Sequence, residues 1–430
     1  MKIFFFTLGC KVNQYETVIL KNIFLKQNFE LAKEKEEADI FVINSCTVTS
    51  TSDRKINKLI NQIKNINKSG IIALTGCFPQ AFPNREDIFK KVSIVTGNQD
   101  KFKLPEILKK FLEEKNKIID IKEHEKKEDF NNFKIEKTFK TPRAFLKIQD
   151  GCNRFCTYCI IPKARGFIKS KSLETIIEES KTVAENGCLE IVLVGINLSF
   201  FGKDLKNINL IDAVKACSSV EKIKRVRLSS LEPNLLTNEQ FLTLSEEEKF
   251  CPQFHFSLQS GSNTTLKRMG RHYDKDEYLK SVDYINKVFK NPSITTDIIV
   301  GFPGETEEEF KESLDFIEKV GFSRVHIFPY SKRPGTKAAT MENQLSKEEK
   351  KARVKRMEEV AKKSTEKFLQ NQIGKTLEVL FETEKNDIFN GYSKNYCMVK
   401  TFSKEDICGR IEKVKIKSLK NGILEGEILK

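Results

Sequence analysis

The sequence predicts an α/β protein in three parts: an N-terminal parallel α/β domain, a central partial (βα) barrel of TIM type, and a C-terminal small β-barrel. Three observations predict it. Short apolar runs alternate with amphipathic stripes over about the first 125 residues, longer strand–helix units follow between Ala144 and Ser331, and from about Gly374 the pattern switches to period two. The boundaries expected are 1–125, 138–368 and 369–430.

In the first part, Lys2–Thr7, Asp39–Asn44 and Ile71–Thr75 are short apolar runs suited to strands buried on both faces. Between them, Leu20, Ile23 and Phe24 form one helical stripe, and Ile56, Leu59, Ile60 and Ile63 another. Residues 113–143 are dense in charged and amide side chains and read as a solvated linker. In the second part the candidate strands are Ala144–Gln149, Glu190–Gly195, Arg225–Ser230, Phe254–Gln259, Ile294–Val300 and Arg324–Pro329. Helical segments such as Leu173–Glu185, Asp274–Phe289 and Glu307–Val320 separate them, and a charged helix follows over 346–369. The tail alternates in Thr376–Phe381 and Ile411–Lys417, with Asn390-Gly391 and Asn421-Gly422 as turns.

Composition narrows the function. The net charge of +15, from 75 Lys and Arg against 60 Asp and Glu, favours a polyanionic partner, although a Lys-rich genome produces the same excess. The apolar start, Ile3–Leu8, is too short for a signal peptide, and no long apolar run follows it, so a cytoplasmic protein with no membrane partner is expected. Eleven cysteines in a reducing compartment point to metal rather than disulfides.

Two cysteine sets carry that expectation. Cys152-Asn-Arg-Phe-Cys156-Thr-Tyr-Cys159 follows the first barrel strand, and three thiolates on one loop suit three irons of a [4Fe–4S] cluster with the fourth iron open. Zinc is the alternative, but a fourth nearby ligand is missing and the chain has only four histidines. Cys10, Cys46 and Cys77 each follow one of the three N-terminal strands. Parallel strands bring their carboxyl ends to one edge, so these thiols can converge on a second cluster, with glycines beside Cys10 and Cys77 allowing close approach. The other five cysteines read as packing residues.

The loop spacing resembles the radical-SAM superfamily, in which the open iron is chelated by S-adenosylmethionine. The resemblance implies that Tyr158 lies near the adenine, and that Gly301, Gly304 and Glu305, in Ile299-Val-Gly-Phe-Pro-Gly-Glu305, form the later adenosine-binding segment. Arg227, Ser229 and Gln259, at other strand ends, are expected to line the same pocket. Both cysteine sets, the barrel and the tail together resemble the methylthiotransferase family, over essentially the whole chain: an N-terminal methylthiotransferase domain, a radical-SAM domain and a TRAM domain. Thr7-Leu-Gly-Cys10-Lys-Val-Asn13-Gln-Tyr-Glu16-Thr17 and Cys46-Thr-Val-Thr49 resemble the MtaB branch, although Asn197 stands where many of that branch have histidine.

The resemblance implies an enzyme with two [4Fe–4S] clusters and S-adenosylmethionine that adds a methylthio group to carbon 2 of N6-threonylcarbamoyladenosine at position 37 of tRNA. That aromatic C–H is neither acidic nor open to nucleophiles, so a radical route is needed, and the cofactors carry it. Cys10, Cys46 and Cys77 would hold the cluster that delivers sulfur. Other expectations are a tRNA anticodon loop as partner, a one-electron reductase or flavodoxin- or ferredoxin-type donor, a monomeric state, and backbone contacts from Lys413, Lys415 and Lys417 on one strand face. The same chemistry on N6-isopentenyladenosine or on ribosomal protein S12 is the nearest alternative. A non-catalytic, zinc-holding RNA-binding protein and a radical-SAM enzyme that uses its first cluster for electron relay are the others.

Overall fold

A computed structural model describes residues 1–131, 133–137 and 141–429. The expected start of the second domain, residue 138, and the last residue, 430, lie outside the described residues. The chain divides into two compact units. One holds Met1–Phe139, Gln149–Lys171 and Ser331–Ala339; the other holds Lys140–Ile148, Ser172–Tyr330 and Thr340–Lys430. No helix among the described residues is long and apolar enough to cross a membrane.

The first unit is built on a parallel sheet. Its elements are β1 (Lys2–Thr7), α1 (Lys11–Lys26), β2 (Glu30–Leu31), β3 (Ile40–Ser45), α2 (Ser50–Ile66), β4 (Ile71–Gly76), α3 (Cys77–Ala81), α4 (Glu86–Phe89), β5 (Ile94–Thr96), α5 (Leu104–Glu114) and β6 (Ile118–Asp120). The strand order is β2-β1-β3-β4-β5-β6, with all pairs parallel. Every residue of β3 is buried, which is why its run is apolar without alternation. Phe41 and Ile43 share a core with Ile56, Ile60 and Ile63 of α2, the predicted stripe, and Thr49 caps that helix by accepting from the Ser52 N–H. The stretch expected as a linker is partly built into this unit. Ile118–Asp120 pairs with β5 as the sixth strand, Ile135 is buried, and Asn22 accepts from the Glu136 and Lys137 N–H groups. Its polar composition hid backbone pairing, which needs no apolar side chains.

The second unit begins with β7 (Arg143–Lys147). The cysteine loop then returns to the first unit between β8 (Gln149–Asp150) and β9 (Lys169–Ser170), which pair antiparallel around α6 (Ile161–Arg165). In the second unit follow α7 (Leu173–Glu185), β10 (Glu190–Val194), α8 (Leu210–Ser218), β11 (Arg225–Leu228), β12 (Ser230–Leu231), α9 (Asn238–Glu246), β13 (Gln253–Phe256), α10 (Asn263–Arg268), α11 (Lys275–Val288), β14 (Ser293–Val300), α12 (Glu307–Val320), β15 (Arg324–Pro329) and α13 (Lys347–Gln370). The six predicted strand–helix units are present. The strands run parallel in the orders β7-β10-β11 and β12-β13-β14-β15, with β12 following β11 after the single residue Ser229.

The tail of this unit is the predicted barrel: β16 (Thr376–Lys385), β17 (Ile388–Ser393), β18 (Met398–Phe402), β19 (Ile411–Lys420) and β20 (Ile423–Ile428), closed in the order β16-β17-β18-β20-β19. One turn differs from expectation. The hairpin between β16 and β17 turns at Asn386-Asp387, both with positive φ, while Asn390-Gly391 lies inside β17. A Cβ at Gly391 would meet the Leu380 carbonyl oxygen at 2.3 Å, so this glycine serves close strand approach. Asn421-Gly422 turns as predicted. Lys413, Lys415 and Lys417 occupy the face opposite the buried Val414 and Ile416, and Lys417 pairs with Glu427 at 3.0 Å.

Candidate functional site

Cys10, Cys46 and Cys77 sit where β1, β3 and β4 end. Cys10 caps α1, Cys46 directly follows β3 and Cys77 opens α3. In this strand order β1 has β2 on one side and β3 on the other, the place where the direction of winding reverses and where such sheets open a crevice. Cys10 Sγ stands 3.7 Å from Asn13 Oδ1, and the Arg165 guanidinium that donates to Asn13 Oδ1 also donates to Cys77 Sγ at 3.2 Å, so one polar bridge links the two thiols. Crowding by the surrounding protein raises the Cys10 thiol although the residue keeps an exposed face, and burial pushes Cys46 up to about 12 with Cys77 adding to the rise. Gly9, at φ +111°, backs onto this pocket: a Cβ there would stand 2.5 Å from Cys46 Cβ and 2.9 Å from its Sγ.

A buried ionic network braces the thiols. Arg165, at the end of α6, is 1% exposed, and its Nε donates to Cys77 Sγ at 3.2 Å. Its other nitrogens donate to Asn13 Oδ1 at 2.6 Å, to both Glu16 oxygens and to Asp150 Oδ2 at 3.3 Å. Lys101, also fully buried, donates to Glu16 Oε2 at 2.6 Å. Two cations against two carboxylates leave the network balanced before any thiolate is counted. Burial alone would weaken the Arg165 charge, but Cys77 and Glu16 hold its pKa well above the ordinary value. Asn13 and Glu16 lie one turn apart on α1, so the sequence word that follows Cys10 is the scaffold of this network. Asn13 Nδ2 also donates to the Leu8 and Ser45 carbonyls, tying the ends of β1 and β3 together. Asn98 Nδ2 reaches Cys77 Sγ at 3.6 Å. Arg333 Nη2 donates to Thr47 Oγ1 at 2.7 Å and to Asp53 Oδ2 at 2.8 Å, which fixes the turn after Cys46.

Cys152, Cys156 and Cys159 lie on the loop between β8 and α6 in the same unit. The loop is pinned at both ends. Cys152 N–H donates to the Gly166 carbonyl at 3.1 Å, and Ala338 N–H donates to the Thr157 carbonyl at 2.7 Å. Gly151 has φ +69°, and a Cβ there would meet the Phe167 carbonyl oxygen at 1.8 Å. Cys152, Tyr158 and Cys159 are partly exposed, as groups that meet a ligand must be.

The remaining predicted residues belong to the second unit. Gly301 and Gly304 turn the chain at positive φ after β14, and Gln259, at φ +70°, bridges to Ile298. Ser229 stands in the break between β11 and β12. Glu305 is enclosed by protein, accepting from the Gly301 N–H at 2.7 Å and pairing with Arg353 of α13. Arg227, expected to line the cofactor pocket, is engaged by protein groups. Its guanidinium is buried, pairs with Glu190 at 2.8 Å, and donates to the Ser393 and Lys394 carbonyls of the tail barrel. Burial opposes the Glu190 charge, but Arg227, Arg225 and Arg143 together hold its carboxyl below the usual range. Sequence reasoning also missed Arg165, Lys101 and Arg333. The signal for Arg165 was a cation beside Gly166, six residues beyond Cys159; Lys101 and Arg333 had none.

A three-thiol pocket on a parallel-sheet edge, a three-cysteine loop and a six-unit βα arc define a radical-SAM enzyme. The family described as the Radical SAM superfamily matches residues 146–317, and the uncharacterized protein family UPF0004 matches residues 2–97. The chain is 38% identical over 96% of its length to the threonylcarbamoyladenosine tRNA methylthiotransferase MtaB of Bacillus subtilis, covering 93% of that protein. It is 40% identical over 91% to the MtaB of Aquifex aeolicus, covering 95% of that protein. It is 33% identical over 98% to a tRNA-2-methylthio-N6-dimethylallyladenosine synthase of Finegoldia magna, covering 93% of it. The chain belongs to the radical-SAM methylthiotransferase family, of the MtaB type. Among solved structures, the radical S-adenosylmethionine methyltransferase TsrM of Kitasatospora setae shares the fold at TM-score 0.60 and 12% identity, over 79% of this chain and 75% of that one. S-adenosylmethionine and a [4Fe–4S] cluster are the cofactors of a radical-SAM enzyme, and Cys152, Cys156 and Cys159, three thiols on one loop within the matched residues, fit that cluster.

Proposed function

We propose that this enzyme adds a methylthio group to carbon 2 of N6-threonylcarbamoyladenosine at position 37 of tRNA, using two [4Fe–4S] clusters. The observation that carries the proposal is the placement of Cys10, Cys46 and Cys77 after three parallel strands of one sheet, three thiols that would leave a fourth iron open to carry sulfur, with Arg165, Glu16 and Asn13 around them. Similarity of 38–40% to two threonylcarbamoyladenosine enzymes, against 33–35% to dimethylallyladenosine enzymes, supports the substrate.

When bound, the clusters and S-adenosylmethionine supply the radical and sulfur chemistry. Cys152, Cys156 and Cys159 would hold the cluster that meets S-adenosylmethionine, with Tyr158 beside the adenine. Cys10, Cys46 and Cys77 hold the second cluster. Arg165, itself buried, donates toward Cys77 and steadies negative charge on that sulfur. Gly9 admits the bulk of the cluster, and Asn13 keeps the strand ends in register. The proposed division is 1–125 for the sulfur-delivering domain, 138–368 for the radical-SAM domain and 369–430 for the tRNA-binding barrel. Lys413, Lys415 and Lys417 meet the anticodon-loop backbone. The setting is the cytoplasm, with a flavodoxin- or ferredoxin-type electron donor.

The test uses the reconstituted enzyme with reductant and S-adenosylmethionine on two anticodon stem-loops, one carrying threonylcarbamoyladenosine and one isopentenyladenosine at position 37. Methylthiolation of the first at a rate at least tenfold above the second is expected. The reverse preference overturns the substrate assignment.

A further inference from the structure

Outside the cysteine sites, three metal-ligating side chains converge within the second unit. His255 on β13, Asp297 on β14 and His326 on β15 come from adjacent parallel strands, and their ligand atoms all lie within 4.8 Å of one another. Only four histidines occur in the chain, and two of them meet here, their rings 5.8 Å apart and inclined at 55°. Strand alternation places the cluster. Phe254, Phe256, Thr296 and Ile298 are fully buried on one face, while His255 and Asp297 point to the other and remain partly open.

We propose that His255, Asp297 and His326 bind one divalent transition-metal ion of the zinc class. His255 is oriented for it. Its Nδ1 shares a 2.9 Å hydrogen bond with Thr295 Oγ1, whose hydroxyl leans on the Phe254 carbonyl, and its Nε2 faces Asp297 Oδ2 at 3.2 Å. A second hydrogen bond that fixes the ring and turns the other nitrogen inward is the usual support of a metal-binding histidine. Two ligands at metal bonds of about 2.0–2.1 Å, set at right to tetrahedral angles, stand roughly 2.8–3.4 Å apart, and the 3.2 Å His255–Asp297 separation falls in that range. Two imidazoles and one carboxylate suit zinc, iron or manganese rather than calcium or magnesium, which take oxygen ligands. Three protein ligands leave a position for water or another oxygen ligand. The site shares no residue with the two cysteine sets, so it stands whatever the substrate.

The test is metal analysis of the holoenzyme with its iron–sulfur clusters assembled, incubated anaerobically with Zn²⁺ and passed through gel filtration. One zinc per chain is expected in the unaltered protein. His326→Gln and Asp297→Asn should each lower it at least tenfold with iron and sulfide unchanged. Two variants keep the test open if one fails to fold. Absence of zinc from the unaltered holoenzyme, zinc retained by both variants, or zinc gained only as iron is lost overturns the proposal.

Discussion

Arg165 carries more of the first unit than any residue named from the sequence. It contacts a cysteine thiol, a carboxylate on α1, an asparagine on the same helix and the carboxylate before the cysteine loop, all in a buried site. Breaking such a network by removing one member typically costs about 3–5 kcal/mol, because the remaining charges stay buried. Arg165→Met is expected to lose that stability in chemical denaturation and to lose the iron held by Cys10, Cys46 and Cys77, about half the total. Arg165→Lys keeps one charge but not the fork, and its iron content should fall between the two. Full iron in Arg165→Met contradicts the role given to the guanidinium. Cys152, Cys156 and Cys159 were legible in the sequence by their spacing on one short run, and Cys10, Cys46 and Cys77 by following three predicted strands. Lys101 and Arg333 were not, because one buried lysine and one buried arginine among 75 basic residues look like the solvated rest until their partners are known.

Elements were legible where side chains decided them and obscure where backbone did. β3 and the α2 stripe follow from apolar patterning, as do β14 and α12. The edge strand β6 is three residues long in a polar stretch, and only its register with β5 defines it. The strap Ser331–Ala339, which belongs to the first unit although it follows the last barrel strand, carried no pattern at all. The Asn390-Gly391 pair misled because an Asn-Gly word signals a turn, whereas here the glycine lets two strands approach. At the end of β1, Gly9 has both positive φ and no room for a methyl group. Gly9→Ala is therefore expected to displace Cys46 and lower methylthio transfer at least tenfold, with the iron held by Cys152, Cys156 and Cys159 retained. Unchanged transfer in Gly9→Ala would show that the cradle is looser than its distances.

Across the whole molecule, Cys10, Cys46 and Cys77 in one unit and Ser229, Gly301 and Gly304 in the other follow the carboxyl ends of parallel strands, where helices and loops leave room for a ligand. The α/β architecture with a terminal barrel was legible because apolar runs alternate with amphipathic stripes up to the charged helix α13 and the pattern switches to period two after it. The clasp of Arg143, Arg225 and Arg227 on Glu190, which joins the βα arc to the tail barrel through the Ser393 and Lys394 carbonyls, was not, since it pairs residues far apart in sequence. It ties the strand Arg225–Leu228 to the barrel proposed to meet RNA, so the tail is part of the second unit rather than an appendage. The most direct test of the central claim is mass spectrometry of tRNA nucleosides from cells with and without this gene, each complemented with the protein or with its Cys10→Ala variant. Loss of 2-methylthio-N6-threonylcarbamoyladenosine with its unthiolated precursor accumulating, restored by the protein and not by the variant, is the predicted result. An unchanged level of that nucleoside, with the isopentenyl counterpart lost or neither affected, would contradict it.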